Sequence, residues 1–160
     1  MTTYPVPTAP TGVDAAVWAK AVHKVRGYCG WHIAPTVTET VTMDGTGGPV
    51  QFIPTLHVID LKTVTDDGAQ VADPEWSRSG MIRKHGCWTR KLRGVVAEVE
   101  HGYEDWPDDL LDVIEEIAGD VRQGRVSQVT SRSHQVSFDL NIDNEARFSV
   151  LDRYRLPFLQ

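Results

Sequence analysis

Apolar residues near the start of the chain recur at the spacing of an amphipathic helix. The residues that share this helical face are Val17, Trp18, Ala21, Val22 and Val25. Thr11 and Asp14 stand three positions apart, which is the spacing of a box that caps a helix start. Gly27 is a residue type that commonly follows a helix end. The pattern predicts a first helix over Val13–Arg26, preceded by an extended arm over residues 1–12.

The middle of the chain changes to the two-residue alternation of β-strands. Thr36–Met43 alternates β-branched residues, which favours a strand with one buried face. Glycine-containing turns are predicted over residues 44–48 and at Asp67-Gly68, and a hairpin is predicted around residues 84–86. The further predicted strands are Pro49–Ile53, Leu56–Val64, Ser79–Arg83, Trp88–Arg90 and Val95–Val99. This region therefore predicts five or six short antiparallel strands.

Helical spacing returns after Trp106. Proline is favoured at the first position of a helix, and Asp105 can cap it, so a second helix is predicted over Pro107–Gln123. A late strand is predicted over Gln135–Leu140, and a third helix over Asp143–Tyr154. The apolar residues of the second helix fall on one stripe, which consists of Leu110, Val113, Ile114, Ile117 and Val121.

Length and composition place these elements in one domain of the α+β class. The chain has 160 residues, of which 41% are hydrophobic and 24% charged, values typical of a globular domain. The predicted architecture is a small helical core, made of the N-terminal, acidic and C-terminal helices, with an antiparallel β insertion between the first two helices. The chain has no run of apolar residues long enough for a membrane span, and its start lacks the pattern of a secretory signal.

Charge is distributed unevenly along the chain. The formal net charge is −6, which disfavours a general nucleic-acid binder. Residues 78–93 contain six basic residues and no acid, whereas residues 98–120 contain ten acids and no Lys or Arg. Adjacent blocks of opposite sign suit either two solvated surfaces or two complementary faces used in assembly.

Two groups of side chains could hold a metal. Cys29, His32, His85 and Cys87 offer the sulfur and imidazole ligands that zinc accepts, but the two pairs are spaced unevenly for a zinc site. Buried packing, or a disulfide between the two cysteines, are the other interpretations. Two cysteines make no disulfide framework, which points to a reducing cytoplasm or to a particle assembled in one.

The second group of candidate ligands is acidic and follows His101. Glu104, Asp105, Asp108 and Asp109 could bind Mg²⁺ for hydrolysis. Acids at a helix start are also stabilised by the helix dipole, so they need no metal to explain them. We predict no catalytic residue, cofactor or metal, and keep a metal-dependent enzyme as the alternative from another class.

Several short segments, in a fixed order, point to a known family. They are Tyr28-Cys29-Gly30-Trp31-His32-Ile33, the turn at residues 44–48, residues 52–58, residues 79–83 and 86–88, and His101-Gly102-Tyr103 followed by Pro107-Asp108-Asp109-Leu110. Over residues 13–123 this order resembles the head-to-tail connector (head completion, or adaptor) proteins of tailed bacteriophages, especially those of actinobacterial hosts. Residues 124–152 match less clearly.

The resemblance implies a non-enzymatic virion protein, assembled in the host cytoplasm and located in the neck between portal and tail. It implies a homo-oligomeric ring, commonly of twelve copies, that binds under the portal and contacts a stopper or tail protein. Double-stranded DNA would pass through the ring without sequence-specific binding. By analogy, the C-terminal tail at residues 153–160 would dock on the portal, through Arg153, Tyr154, Arg155, Leu156, Pro157, Phe158 and Leu159.

The charged blocks fit such a ring in two competing ways. A ring needs two different faces that meet, and the basic face would consist of Arg83, Lys84, Arg90, Lys91 and Arg93. The acidic face would consist of Asp108, Asp109, Asp112, Glu115 and Glu116. The same acids could instead line the lumen, where they would repel DNA phosphates. Another neck or tail-completion protein, such as a stopper or tail terminator, is the nearest alternative.

Overall fold

The first helix begins later and ends later than its pattern predicts. A computed structural model describes residues 4–122 and 145–157, and in it α1 spans Ala15–Cys29. Asp14 caps the helix, because its Oδ1 accepts hydrogen bonds from the backbone N–H groups of Ala16 and Val17, both at 3.0 Å. The predicted Thr11 cap and Gly27 stop are therefore wrong. The helix ends before Gly30, whose φ of +82° suits a C-terminal glycine.

The segment before α1 is held against that helix. Indole Nε1 of Trp18 donates to the carbonyl of Pro7 at 2.9 Å, and the guanidinium of Arg26 donates to the carbonyls of Tyr4 and Pro5 at 3.2 and 2.8 Å. Arg26 is 9% exposed and lies between the rings of Tyr4 and Trp106, at 5.8 and 5.2 Å. The arm is therefore anchored to α1 at Tyr4, Pro5 and Pro7.

The strands form two antiparallel sheets. The larger sheet has the order β1-β7-β3-β4, and the smaller has the order β2-β6-β5. The strands are β1 Val37–Met43, β2 Val50–Phe52, β3 Val58–Asp66, β4 Ala69–Gln70, β5 Glu75–Trp76, β6 Met81–Arg83 and β7 Val95–His101. Strand β7, the last strand of the described residues, lies between β1 and β3 and pairs with both along its length.

Alternation along the strands builds the core of this β unit. On β7 the side chains of Val95, Ala97, Val99 and His101 are buried, while the intervening residues are more exposed. Asp67 and Gly68 both have positive φ in the predicted turn between β3 and β4. The apolar core cluster consists of Met43, Ile53, Val58, Val64, Ile82, Trp88, Val95, Ala97 and Val99.

One predicted hairpin is wrong. Residues Trp88–Arg90 form no strand, and β6 pairs with β2 and β5 instead, with Ile82 opposite Gln51 and Trp76. The N–H of Trp88 donates to the Gly48 carbonyl at 2.9 Å, and its side chain is buried. The N–H groups of Gly47 and Gly45 donate to the carbonyls of Thr89 and Lys91 at 2.9 and 3.0 Å, so backbone bonds to the turn at residues 44–48 hold this segment although it forms no strand.

The second and third helices agree with their predicted positions. Helix α2 spans Asp108–Arg122 and buries Leu110, Val113, Ile114, Ile117 and Ala118. Helix α3 spans Glu145–Arg153 and buries Leu151. The predicted strand Gln135–Leu140 lies outside the described residues. None of the helices in the described part of the chain is both long and apolar enough to cross a membrane.

The described residues group into two compact units. The helical unit contains the arm and the three helices, and the β unit contains residues 30–105 together with Leu156 and Pro157. The predicted α+β class, with antiparallel strands inserted between the first two helices, is confirmed. The prediction of a single connector domain stays a prediction.

Candidate functional site: an aromatic corner and two charged faces

Two segments that the resemblance singles out pack together in the β unit. The backbone N–H of Tyr103 donates to the carbonyl of Ile33 at 2.8 Å, and the hydroxyl of Thr36 donates to the carbonyl of Gly102 at 3.2 Å. The ring of Tyr103 lies 6.1 Å from that of Trp31 and stacks on His57 at 4.3 Å. Residues about seventy positions apart in sequence therefore form one aromatic corner.

Gly102 lets the backbone pass this corner. Its φ is +101°, and a Cβ atom there would lie 2.5 Å from Nε2 of His32 and 2.8 Å from the carbonyl oxygen of Pro35. The same Nε2 donates to the Pro35 carbonyl at 2.9 Å. His32 is thus a buried ring that bridges its own loop, and no side chain larger than hydrogen fits at position 102.

His101 lies beneath the corner and is almost completely buried. Its Nε2 is 3.0 Å from Oε1 of Glu39, and its ring meets that of His32 edge-on at 4.6 Å. Burial lowers the pKa of His101 below its ordinary value of 6.5, and the hydrogen bond and charge of Glu39 only partly oppose that shift. This geometry gives a neutral imidazole a structural role between β1 and β7.

The predicted basic face is partly neutralised within the chain. Lys84 lies 2.7 Å from Asp66 with both side chains largely buried, and its ammonium lies over the ring of Trp88 at 5.4 Å. Lys91 pairs with Asp67 at 2.5 Å. The three remaining arginines are exposed and form no ion pair within residues 4–122 and 145–157; they are Arg83, Arg90 and Arg93.

Helix α2 divides its acids between two flanks. On the flank toward α3, Arg147 pairs with Glu116 and, at 2.7 Å, with Asp120. Asp109 accepts from Arg153 at 3.0 Å and from the hydroxyl of Tyr154 at 3.0 Å. The other flank has exposed acids without an ion pair in the described part of the chain, namely Asp108, Asp112 and Glu115.

The predicted docking tail folds onto its own helices at its start. Besides the contacts of Arg153 and Tyr154 with Asp109, the guanidinium of Arg155 lies 5.1 Å from the ring of Tyr28. Leu156 is only 4% exposed, whereas Pro157 is exposed. The structure therefore buries Leu156, which the sequence analysis assigned to an exposed docking tail. Phe158 and Leu159 lie outside the described residues.

The possible zinc ligands have other surroundings. Cys29 is buried with its Sγ 3.8 Å from the Leu151 carbonyl, and burial raises the pKa of its thiol to about 12. Cys87 is exposed, both cysteines are free, and the ring of His32 is committed to Pro35. Within residues 4–122 and 145–157, no three His, Cys, Asp or Glu side chains are grouped to hold a metal.

Structural comparison relates the whole arrangement to solved particle necks. A chain in the "Neck of native GTA particle computed with C12 symmetry" superimposes with a TM-score of 0.58 and 15% identity, over 89% of this chain and 83% of that chain. A chain in the "Neck of empty GTA particle computed with C6 symmetry" gives 0.53 and 16%, over 92% and 82%.

A third chain, from the "Virion of native gene transfer agent (GTA) particle", gives a TM-score of 0.52 and 15% identity, over 88% of this chain and 75% of that chain. The chain shares its fold with chains of these GTA particles. The resemblance predicted from sequence is thus confirmed at the level of fold. No protein-family model and no curated relative matches the chain in sequence.

One exposed feature of the described chain was missed by sequence reasoning. Leu92 is 76% exposed, the largest value among the exposed large hydrophobic residues of the described chain. It stands at the tip of the loop at residues 89–94, inside the basic face. A lone leucine between Lys91 and Arg93 was the available signal, but its meaning depends on the loop conformation.

Proposed function

We propose that this chain is a non-enzymatic structural protein of a tailed-phage virion neck, a subunit of the head-to-tail connector (adaptor) ring. The observation that supports this proposal is the shared fold with a neck chain in a twelvefold-symmetric structure, over 89% of this chain. In this role the ring, with twelve copies, binds under the portal and joins the DNA-filled capsid to a stopper or tail protein. Double-stranded DNA passes through its lumen.

The two charged faces supply a way to build the ring. Contacts between copies in a ring are heterologous, so one surface must complement a different surface on the next copy. The proposed basic side consists of Arg83, Arg90 and Arg93, because Lys84 and Lys91 pair with Asp66 and Asp67. The proposed acidic side consists of the three exposed acids on one flank of α2, Asp108, Asp112 and Glu115.

The acidic flank has a competing use as a lumen surface. Carboxylates facing the passing DNA would repel its phosphates and prevent adhesion, since phosphate contacts dominate non-specific DNA affinity. We favour the interface use, because unpaired arginines of matching number are exposed on the same chain.

Portal docking is proposed for residues 153–159. The side chain of Arg153 remains 61% exposed although it pairs with Asp109, so it can reach a second acidic partner. Pro157 is also exposed in this segment. Tyr154 and Leu156 would then position the segment rather than contact the portal directly.

Composition and imaging of purified particles test the proposed function. Mass spectrometry should detect the chain at a fixed ratio to the portal protein, and a neck reconstruction should place it as a ring directly below the portal. Native mass spectrometry of the chain mixed with portal should give a ring bound to portal. Absence from mature particles, or a position elsewhere in the neck or tail, would contradict the adaptor role. The latter would favour a stopper or tail terminator.

A further inference from the structure

The loop that presents Leu92 is held firmly at its base. The N–H of Gly45 donates to the Lys91 carbonyl at 3.0 Å, and the N–H of Arg93 donates to Oδ1 of Asp44 at 2.7 Å. The N–H of Gly94 donates back to the Lys91 carbonyl at 3.2 Å, and Arg93 adopts a left-handed φ of +55°. The apolar side chain thus projects from a loop whose backbone is fixed, which lowers the entropic cost of binding.

Cationic residues flank this projecting leucine in the sequence. Arg90 and Arg93 are exposed and make no ion pair among the described residues, whereas Lys91 is paired with Asp67. An isolated exposed leucine flanked by two unpaired guanidinium groups fits a partner surface with an apolar hollow and acids at its rim.

The helical unit contains such a hollow. A groove of about 150 Å³ lies between the start of α1 and the second half of α2. Its apolar and small lining residues are Val13, Val17, Ala118 and Gly119. A Cβ atom at Gly119 would meet nothing within 4 Å, which confirms open space in front of that glycine. A cavity of about this volume can hold a benzene-sized group, and the side chain of leucine is no larger.

The rim of the groove carries the complementary charge. Asp14 and Glu115 line it together with the single cation Arg122. Asp112 and Asp108 continue the acidic flank from Glu115 along successive turns of α2, since residues three and four apart share a helical face. Two acids at the rim and two beyond it therefore outnumber the one arginine.

We propose that the Leu92 loop of one copy inserts into this groove on the next copy in the ring. The inference rests on the proposed ring and identifies its subunit contact. The occupant is a second copy, because the projection and the hollow are different surfaces of one chain and are complementary in shape and charge. A contact of that kind is heterologous, so repetition produces a closed ring when the rotation between copies permits it.

Cysteine crosslinking tests the contact directly. In a Cys87→Ser background, Leu92→Cys and Gly119→Cys place one thiol at the tip and one in the groove, and both positions have space for the new side chain. Mild oxidation of assembled rings should give a ladder of covalent multimers on a non-reducing gel. The matched control pairs Gly119→Cys with Ile59→Cys, another exposed apolar position, and should give no ladder.

A charge substitution provides the second measurement. Leu92→Glu should weaken ring association about ten-fold or more, because a buried apolar anchor is replaced by a charge facing acids. Ile59→Glu should leave association unchanged. Both positions are exposed, so both variants should unfold at the wild-type temperature.

The outcomes separate this contact from the proposed function. If the chain forms rings or enters necks but the Leu92–Gly119 pair gives no ladder and Leu92→Glu assembles normally, the contact is wrong and the adaptor role stands. If the wild-type chain neither forms rings with portal nor enters particles, both are wrong. A ladder from the Leu92–Gly119 pair alone, with loss of association in Leu92→Glu, supports the contact.

Discussion

At the scale of single residues, the aromatic corner depends on one position that tolerates no larger side chain and on one that tolerates no added charge. Gly102 must lack a Cβ, and His101 must stay neutral to remain buried between two strands. The first requirement comes from the carbonyl of Pro35, which is distant in sequence, and the second comes from burial, which outweighs the hydrogen bond and charge of Glu39. The sequence therefore shows these residues without showing what constrains them.

Gly102→Ala should destabilise the chain strongly. The positive φ costs about 1–2 kcal/mol for a residue with a Cβ, and displacing His32 and the Pro35 carbonyl adds about 1–3 kcal/mol. Urea unfolding should show the summed loss. Gly68→Ala is the matched control, since its φ is +83° but nothing lies within 4 Å of its Cβ. Equal losses in the two variants would contradict the steric role of the corner.

Stability should fall as the pH drops through the weakly acidic range. Because burial lowers the folded-state pKa of His101 below 6.5, the unfolded chain binds more protons there. The contribution of His101 is therefore fully present above pH 6.5 and decreases as the pH falls toward the lowered folded-state pKa. Urea midpoints between pH 7.5 and 5 should follow this trend, and His101→Gln should flatten it. An unchanged slope in the variant would assign the effect to another group.

At the scale of elements, α2 has opposite roles on its two flanks. Residues 109, 116 and 120 hold α3 through Arg147, Arg153 and Tyr154, whereas residues 108, 112 and 115 face solvent. The sequence shows ten acids over residues 98–120. It cannot show how α2 divides its acids between two flanks, because α3 lies more than twenty residues further along the chain.

Arg147→Met should loosen the contact between α2 and α3. The substitution keeps an apolar stem but removes the pairs with Glu116 and Asp120, all three side chains being partly solvent-exposed. Exposed pairs contribute little, so a loss of about 1 kcal/mol is expected. Thermal unfolding measures this loss of stability, and about 1 M salt should reduce the difference in stability between the variant and the wild type. Arg122→Met, at an exposed cation on α2, serves as the control and should change stability less.

The accuracy with which each helix or strand was predicted depended on how regular its hydrophobic pattern is. Helix α2, with a regular apolar stripe, agrees with its prediction to within a residue at each end, whereas α1 begins two residues later and ends three residues later than predicted. Strand β5, only Glu75 and Trp76, was missed because two residues carry no periodicity, and Trp88–Arg90 was taken for a strand because an aromatic near a turn suits one. The groove between α1 and α2 could not be predicted from the sequence, since its two lining segments lie about a hundred residues apart.

At the scale of the whole molecule, the net charge of −6 is divided into surfaces of opposite sign. In the proposed ring, the acidic flank of one copy would attract the arginine-bearing face of the next, whereas copies of uniform charge would repel each other. Such attraction is weakened by salt when the charges are exposed. The salt dependence of ring association should therefore show whether the acidic flank meets the arginine-bearing face.

Asp112→Lys should weaken ring association and reduce its dependence on salt. The charge-matched control is Glu98→Lys on β7, because each replacement changes the net charge from −6 to −4. Ring association is measured by mass photometry at about 50 to 500 mM NaCl, a range over which screening of exposed charges increases. Asp112→Lys should associate more weakly than Glu98→Lys and respond less to salt. If Asp112→Lys rings form normally but retain DNA in the lumen, the acids serve DNA passage instead.

The order of strands in the larger sheet has a consequence during synthesis on the ribosome. Strand β7 is the shared neighbour of β1 and β3, yet it is the last of the three to be translated. At typical translation rates, roughly 2–7 seconds separate the end of β3 from the end of β7. During that interval the nascent chain exposes two hydrogen-bonding strands with no common partner. Chaperone capture during that interval should therefore increase the yield of native protein, whereas slower translation lengthens the exposure.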